Sequence, residues 1–220
     1  MKTAEIIDHT ALEPDTTIDD IENLCNEAVA HGFTTICVPP LFVKKAKALT
    51  TGSKIKVSTV IGFPFGYNAI EAKAAEIVLA IIDGADELEI VINISAVKNN
   101  DWRFLANELN TVMPIIRAKG REICIIIETG LLTNEEIIIC CDIYGAAGVD
   151  FIKAGTGYGK IDITPEIIQL MRKHLANLVQ IKVYSGIKNY SFVNQLTEAG
   201  ACRVCSKNSI ELVQAALQQN

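Results

Sequence analysis

The feature that most restricts the fold of this chain is a recurring glycine. Gly32, Gly84, Gly120, Gly148 and Gly200 each stand two or three residues ahead of a short β-branched or apolar run. A glycine closing a helix adopts the left-handed conformation at little cost, so each of these positions predicts a helix-to-strand turn. The runs cover residues 6–10, 34–38, 56–61, 87–92, 123–128, 180–184 and 203–205, with one more ending at Lys153. Between them lie helical patterns. Thr17 caps a stripe of Ile18, Ile21, Leu24, Cys25, Ala28 and Val29, and Thr133 to Glu136 forms a capping box. Thr164-Pro165 places proline at a first helical position, and further helices are predicted over 41–49, 68–83, 101–119, 191–199 and from 210 onward. Pro114 is expected to break or kink the helix over 101–119. Strands alternating with helices imply a parallel sheet. Eight such units in 220 residues point to a closed (β/α)8 TIM barrel, one domain over residues 1–220, with a doubly wound open sheet as the alternative.

Composition narrows the function classes. Half of the residues are hydrophobic and 21% are charged, which suits a folded globular chain. A net charge of −6 argues against a nucleic-acid surface. The N-terminal residues lack the apolar core of a signal peptide and no run matches a membrane span, so a cytoplasmic protein is expected, with neither membrane nor nucleic acid as partner. The seven cysteines then read as free thiols. Cys202 and Cys205 are spaced C-x-x-C, but on one strand they would face opposite ways, and the three histidines show no ligand spacing. No metal and no cofactor are expected.

The stretch Gly148 to Gly159 carries the chemistry. A short apolar strand ends at Lys153 and runs into Gly155, Gly157 and Gly159. A lysine in such a strand needs a paired charge or a shifted pKa. The glycines let backbone N–H groups approach an anion such as phosphate. The competing reading is a strand-end lysine that reaches solvent above an ordinary turn. The glycine spacing departs from the dinucleotide fingerprint, which weighs against a nicotinamide enzyme.

In a barrel the site lies at the C-terminal ends of the strands, where Asp8, Glu89, Asn93, Glu128, Lys153 and Lys182 fall. Alternation sets Leu88, Ile90 and Ile92 toward the helices, so Glu89 faces the interior. A structural ion-pair network is one reading of this set; amine catalysis is the other. A free lysine is roughly 0.04% neutral at pH 7 and a poor nucleophile. A second ammonium and burial are expected to lower that pKa and free Lys153 to attack an aldehyde, with Lys182 as the second ammonium. A carboxylate such as Glu89, acting through water, would shuttle protons to and from the enamine.

At these residues the chain resembles the deoxyribose-phosphate aldolases, class I Schiff-base enzymes on a TIM barrel. The likeness runs through Asp8-His9-Thr10-Ala11-Leu12, Cys37-Val38, Val60-Ile61-Gly62-Phe63-Pro64, Glu87 to Asn93, Glu128-Thr129, and Asp150-Phe151-Ile152-Lys153 with Thr156-Gly157. The resemblance implies reversible cleavage of 2-deoxyribose 5-phosphate to acetaldehyde and glyceraldehyde 3-phosphate. It implies Lys153 as the Schiff-base lysine, Lys182 as its partner, Glu89 at the proton-relay position and Asp8 as a supporting acid. Thr10, Cys37, Thr156, Gly157, Ser185, Gly186, Ser206 and Lys207 are then expected to bind substrate or its phosphate. Similar enzymes are dimers or tetramers, so a homo-oligomer is expected.

Four departures stand out. Glu89 replaces the family's usual aspartate, and Ala154-Gly155 replaces Thr-Ser after the lysine. Tyr184-Ser185-Gly186 stands where a small residue and two glycines are usual, and Cys205-Ser206-Lys207 where a glycine precedes small hydroxyl residues. A side chain at Ser185 or Cys205 crowds a backbone approach, while Lys207 adds a cation for phosphate or is a solvated loop lysine. Two further readings therefore stand beside the first: a Schiff-base aldolase with a different or unphosphorylated acceptor, and a barrel that only binds a sugar phosphate.

Overall fold

The computed structural model describes residues 3–159, 163–184, 187 and 189–218. Eight parallel strands close into a barrel in sequence order. They are β1 (Ile7–Thr10), β2 (Thr35–Val38), β3 (Lys56–Ile61), β4 (Glu87–Val91), β5 (Glu122–Ile126), β6 (Phe151–Lys153), β7 (Gln180–Val183) and β8 (Arg203–Ser206). The expected closed barrel is therefore the observed one, and the open sheet is not.

Outside the strands lie α1 (Ile18–His31), α2 (Val43–Leu49), α3 (Ile70–Asp83), α4 (Ile94–Lys98) and α5 (Trp102–Arg117). They are followed by α6 (Asn134–Ala147), α7 (Pro165–His174), α8 (Tyr190–Glu198) and α9 (Ser209–Gln218). The glycines of the repeat do close turns. Gly32, Gly84, Gly120, Gly148 and Gly200 have φ of 71°, 104°, 62°, 73° and 116°. Thr17 and Thr133 each accept from the backbone N–H three residues on, and Asp20 and Glu136 return the bond to the cap N–H. No helix among the described residues is long and apolar enough to cross a membrane.

Three expectations need correction. Pro114 does not break α5, which continues to Arg117. Proline lacks only its own N–H, and the buried stripe of Leu105, Leu109, Val112 and Ile116 holds the helix on the barrel. The fifth strand stops at Ile126, which leaves Glu128 in the following loop. The short helix α4 was not expected; Asn93 caps it by accepting from Ala96 N–H at 3.0 Å, so Asn93 serves the backbone and not the site.

Alternation builds two apolar regions. Leu88, Ile90 and Ile92 join the large core between sheet and helices. Leu12, Cys37, Val60, Val91 and Ile126 form a smaller cluster inside the barrel toward its mouth, with Phe63 and Tyr184 packed on it. The polar site lies beneath this cluster.

Candidate active site

Lys153 and Lys182 are register partners on adjacent parallel strands, so their side chains rise on the same face into the barrel. Both are completely buried, as are Asp8, Glu87 and Glu89. Charges inside a barrel survive only when paired, and here pairing is extensive. Lys153 Nζ donates to Glu89 Oε2 at 2.6 Å. Lys182 Nζ donates to Asp8 Oδ2 at 2.7 Å and Glu87 Oε1 at 2.5 Å, and lies 3.6 Å from Glu89 Oε1. Arg203 reaches Asp8 Oδ1 at 3.2 Å and Thr35 Oγ1 at 2.7 Å, while Ser58 donates to Glu87 at 3.0 Å. Lys153, Lys182 and Arg203 thus face Asp8, Glu87 and Glu89, and the formal charges cancel. The Phe151 ring lies under Lys182 at 4.5 Å and under Arg203 at 5.2 Å.

These pairings overturn the expected state of the nucleophile. Burial works to lower the Lys153 pKa, but Cys205, Glu89, Cys37 and Cys124 together outweigh it, the thiols only at the alkaline pH where they ionise, leaving it well above the ordinary lysine value. Lys182 behaves alike, because Asp8 and Glu87 outweigh its burial. Its charge is paired with those carboxylates, and the Lys153 pKa remains raised beside it. Burial likewise pushes Glu89 up, yet Lys153 and Lys182 pull it below the usual carboxyl range. The resting site is therefore an ammonium–carboxylate pair, with the amine one proton transfer from its free form. Among the described residues Glu89 Oε1 has no hydrogen-bond partner, and it retains a lone pair for a proton.

Three thiols surround the pair. Cys37 Sγ lies 3.7 Å from Glu89 Oε2 and Cys205 Sγ 3.9 Å from Asp8 Oδ2, and Cys124 is buried beside Glu87 and Glu89. Burial pushes Cys205 up to about 12 and Cys37 and Cys124 well above the usual thiol value, so all three are neutral packing groups. The acid and thiol atoms that cluster closely enough to hold a metal, Asp8, Glu89 and Cys205 among them, already hold ammonium groups between them. Cys202 precedes β8 and turns its sulfur to the Ile181 carbonyl, away from Cys205.

The remaining candidates line the mouth. Thr10 donates to the Asp8 carbonyl at 3.0 Å and braces the strand that carries Asp8. Thr156 donates to Glu128 Oε2 through its N–H at 3.0 Å and its hydroxyl at 2.5 Å. A Cβ at Gly159 would sit 2.5 Å from Glu128 Oε1, so the glycine turn wraps this carboxylate before any ligand. Gly157, at φ +83°, lies under the Tyr184 ring. Ser206 ends β8, accepts from Asn208 N–H, and lines a cavity of about 210 Å³ together with Gly157, Tyr184, Cys205 and Lys207. Lys207 is exposed and pairs with Glu13 at 2.8 Å. A larger cavity, about 460 Å³, lies beside α1 and carries Asp15, Asp20 and Glu27, a poor lining for an anion, while the Glu13–Lys207 pair lines both cavities. Ser185 and Gly186 lie outside the described residues.

Glu87, Arg203 and Ser58 were not anticipated as site residues. Two of them have a signal in strand parity: Glu87 stands two before Glu89, and Arg203 two before Cys205, hence on the same inward face.

A family model described as DeoC/LacD family aldolase matches residues 3–205. A deoxyribose-phosphate aldolase of Thermococcus gammatolerans is 40% identical over 218 residues, covering 98% of this chain and 97% of the relative. Among solved structures, one titled "QR15, an Aldolase" superposes with a TM-score of 0.93 at 32% identity, covering 100% of this chain and 97% of its own. A deoxyribose phosphate aldolase from Aeropyrum pernix, described as tetrameric, has a TM-score of 0.90 at 24% identity, covering 99% of this chain and 92% of its own, and shares the fold.

Proposed function

The chain belongs to the DeoC/LacD family of aldolases, and we propose that it cleaves 2-deoxyribose 5-phosphate reversibly to acetaldehyde and glyceraldehyde 3-phosphate through a Schiff base on Lys153. The observation that carries this reading is the buried Lys153–Glu89 pair at 2.6 Å, set at the C-terminal end of β6. When substrate enters, the shared proton moves to Glu89 and frees the Lys153 lone pair, which attacks the aldehyde carbon C1. Glu89 passes that proton to the carbinolamine oxygen, which leaves as water, and the iminium that remains draws electrons from the neighbouring bond. Glu89, again a carboxylate, takes the 3-hydroxyl proton through water as C2–C3 breaks, releasing glyceraldehyde 3-phosphate and an enamine. Glu89, now an acid, protonates the enamine at C2, and hydrolysis of the iminium returns Lys153 and acetaldehyde. Lys182, held by Asp8 and Glu87, keeps a fixed positive field beside Glu89 and favours its return to the carboxylate.

The mouth residues then divide the binding work. Gly157, Ser206 and Lys207 share one cavity, which Glu13 also lines, and with the Lys207 cation at its rim they suit the phosphate end; the family resemblance assigns Ser185 and Gly186 to the same work. Thr10 and Cys37 line the carbon chain, and Thr156 acts through Glu128. Lys207 must leave Glu13 to take phosphate, and this specific pairing favours a second reading, an unphosphorylated acceptor aldehyde on the same lysine. We further place the protein as one barrel domain over residues 1–220, cytoplasmic, and a homo-oligomer, on the strength of its free thiols and its tetrameric structural relative.

Borohydride trapping with acetaldehyde tests the chemistry. An ethyl adduct on Lys153, lost in Lys153→Ala, supports the Schiff base; its absence in the wild-type protein overturns it. Cleavage of deoxyribose 5-phosphate, against unphosphorylated deoxyribose, then separates the two acceptors.

A further inference from the structure

Lys153 is wholly buried, yet its chemistry requires that a carbonyl compound reach Nζ. A cavity of about 210 Å³ is bordered by Tyr184 and Cys205, with Glu13, Gly157, Ser206 and Lys207 also in its wall, and Lys153 is not among the described residues that line it. Between the two lies the ring of Tyr184. Lys153 Nζ sits over its face, 5.0 Å from the centroid. Carbon needs about 3.5–4.0 Å to each neighbour, so no carbon layer fits between the ammonium and the ring. The ring also borders Gly157, where a Cβ would lie 2.8 Å from Cε1 of Tyr184. The same ring packs on the apolar roof of Leu12, Cys37, Val60, Val91 and Ile126. Phe63 packs there too and meets Tyr158 edge-on, while the Tyr158 hydroxyl donates to the Leu12 carbonyl at 3.0 Å. Most of the roof is thus tied to strand ends and loops. The Tyr184 ring is only partly buried and borders the cavity, so it is the side chain with room to move.

We propose that Tyr184 is the specificity-determining residue of this site, a partition that must turn aside for a carbonyl compound to reach Lys153 and that admits narrow, unbranched aldehydes over bulky ones. The proposal rests on the Schiff-base reading of Lys153 but not on the identity of the acceptor. A residue that merely filled space would affect all aldehydes equally once removed; a partition changes their ratio.

The test is borohydride trapping on the full-length protein, with acetaldehyde and with the branched 3-methylbutanal, read as the rate of adduct formation on Lys153. In Tyr184→Ala the ratio of branched to unbranched trapping should rise at least about tenfold, the low end of steric discrimination by one methylene in a closed pocket. Tyr184→Phe keeps the ring and should keep the wild-type ratio. Tyr184→Leu, nearer in volume, gives an intermediate ratio and serves where Tyr184→Ala fails to fold. An unchanged ratio in folded Tyr184→Ala or Tyr184→Leu overturns the partition while leaving the Schiff base intact. Trapping in neither wild type nor variant, with either aldehyde, overturns the Schiff base and the partition together. Failure to cleave deoxyribose 5-phosphate, with trapping intact, touches only the acceptor.

Discussion

Replacing Glu89 by glutamine removes one charge and preserves the side-chain shape, which isolates the role of the carboxylate. Its Oε2 lies 2.6 Å from Lys153 Nζ. Two unit charges at that distance attract by about 6 kcal/mol at an effective dielectric of about 20, a ceiling on what the pair contributes. In the variant the ammonium keeps its burial cost and loses its carboxylate, so the Lys153 pKa falls from its raised position. The interior also gains an uncompensated positive charge. A lysine whose folded pKa is raised contributes stability that is fully present below the unfolded value of about 10.4 and lost as pH rises through the folded value. At neutral pH that contribution disappears in the variant, and removing one partner of a buried pair costs about 3–5 kcal/mol, readable in urea unfolding. Two kinetic effects then run in opposite directions. Imine formation needs the neutral amine, so the pH at which borohydride trapping sets in moves down. Proton return to the enamine loses its acid, so turnover falls by about 10²–10⁴-fold. Turnover equal to wild type would refute the proton-relay role. A trapping profile that stays at the wild-type pH would refute the claim that Glu89 holds Lys153 protonated.

Lys207→Ser removes the cation at the cavity rim and frees Glu13; KM for deoxyribose 5-phosphate should rise about tenfold or more while acetaldehyde trapping is unaffected, since charged hydrogen bonds contribute about 1.5–3 kcal/mol. An unaltered KM assigns Lys207 to Glu13 alone. Lys73 and Glu108 form a second buried pair at 2.6 Å, outside the barrel, and Lys73 also donates to the Val91 carbonyl at the end of β4 at 2.7 Å. Lys73→Met alone should cost about 3–5 kcal/mol in urea unfolding, and adding Glu108→Leu should restore most of it; additive losses would refute the pairing argument.

The barrel was legible in the chain because its signals are local. A glycine that must take positive φ, a threonine three residues before Asp20 or Glu136, and β-branched runs of barrel-strand length act through neighbours in sequence, so they survive without knowledge of the fold. Parity then placed Glu89 inward and Leu88, Ile90 and Ile92 outward, because successive strand residues face opposite sides of any sheet. The same alternation puts Glu87 on the face of Glu89, and applied to Arg203 it would have placed that residue in the interior as well. Only the closed sheet decided what these charges do. Asp8 and Lys182 stand 174 positions apart and meet at 2.7 Å because β1 and β7 both flank β8. Whether Lys153 is activated by an ammonium or held protonated by a carboxylate depends on distances of a few ångströms, at which the balance of burial and pairing changes sign. Lys73 shows the same division. It stands on the stripe of Ile70, Ile77 and Ala80, a position that helical periodicity reserves for apolar groups. The chain read alone offers it only Glu76, three residues on; the tertiary structure brings Glu108 and the Val91 carbonyl to its ammonium. Local propensity determined where the strands and helices lie, and long-range electrostatics, available only once the barrel closes, determined the state of the site.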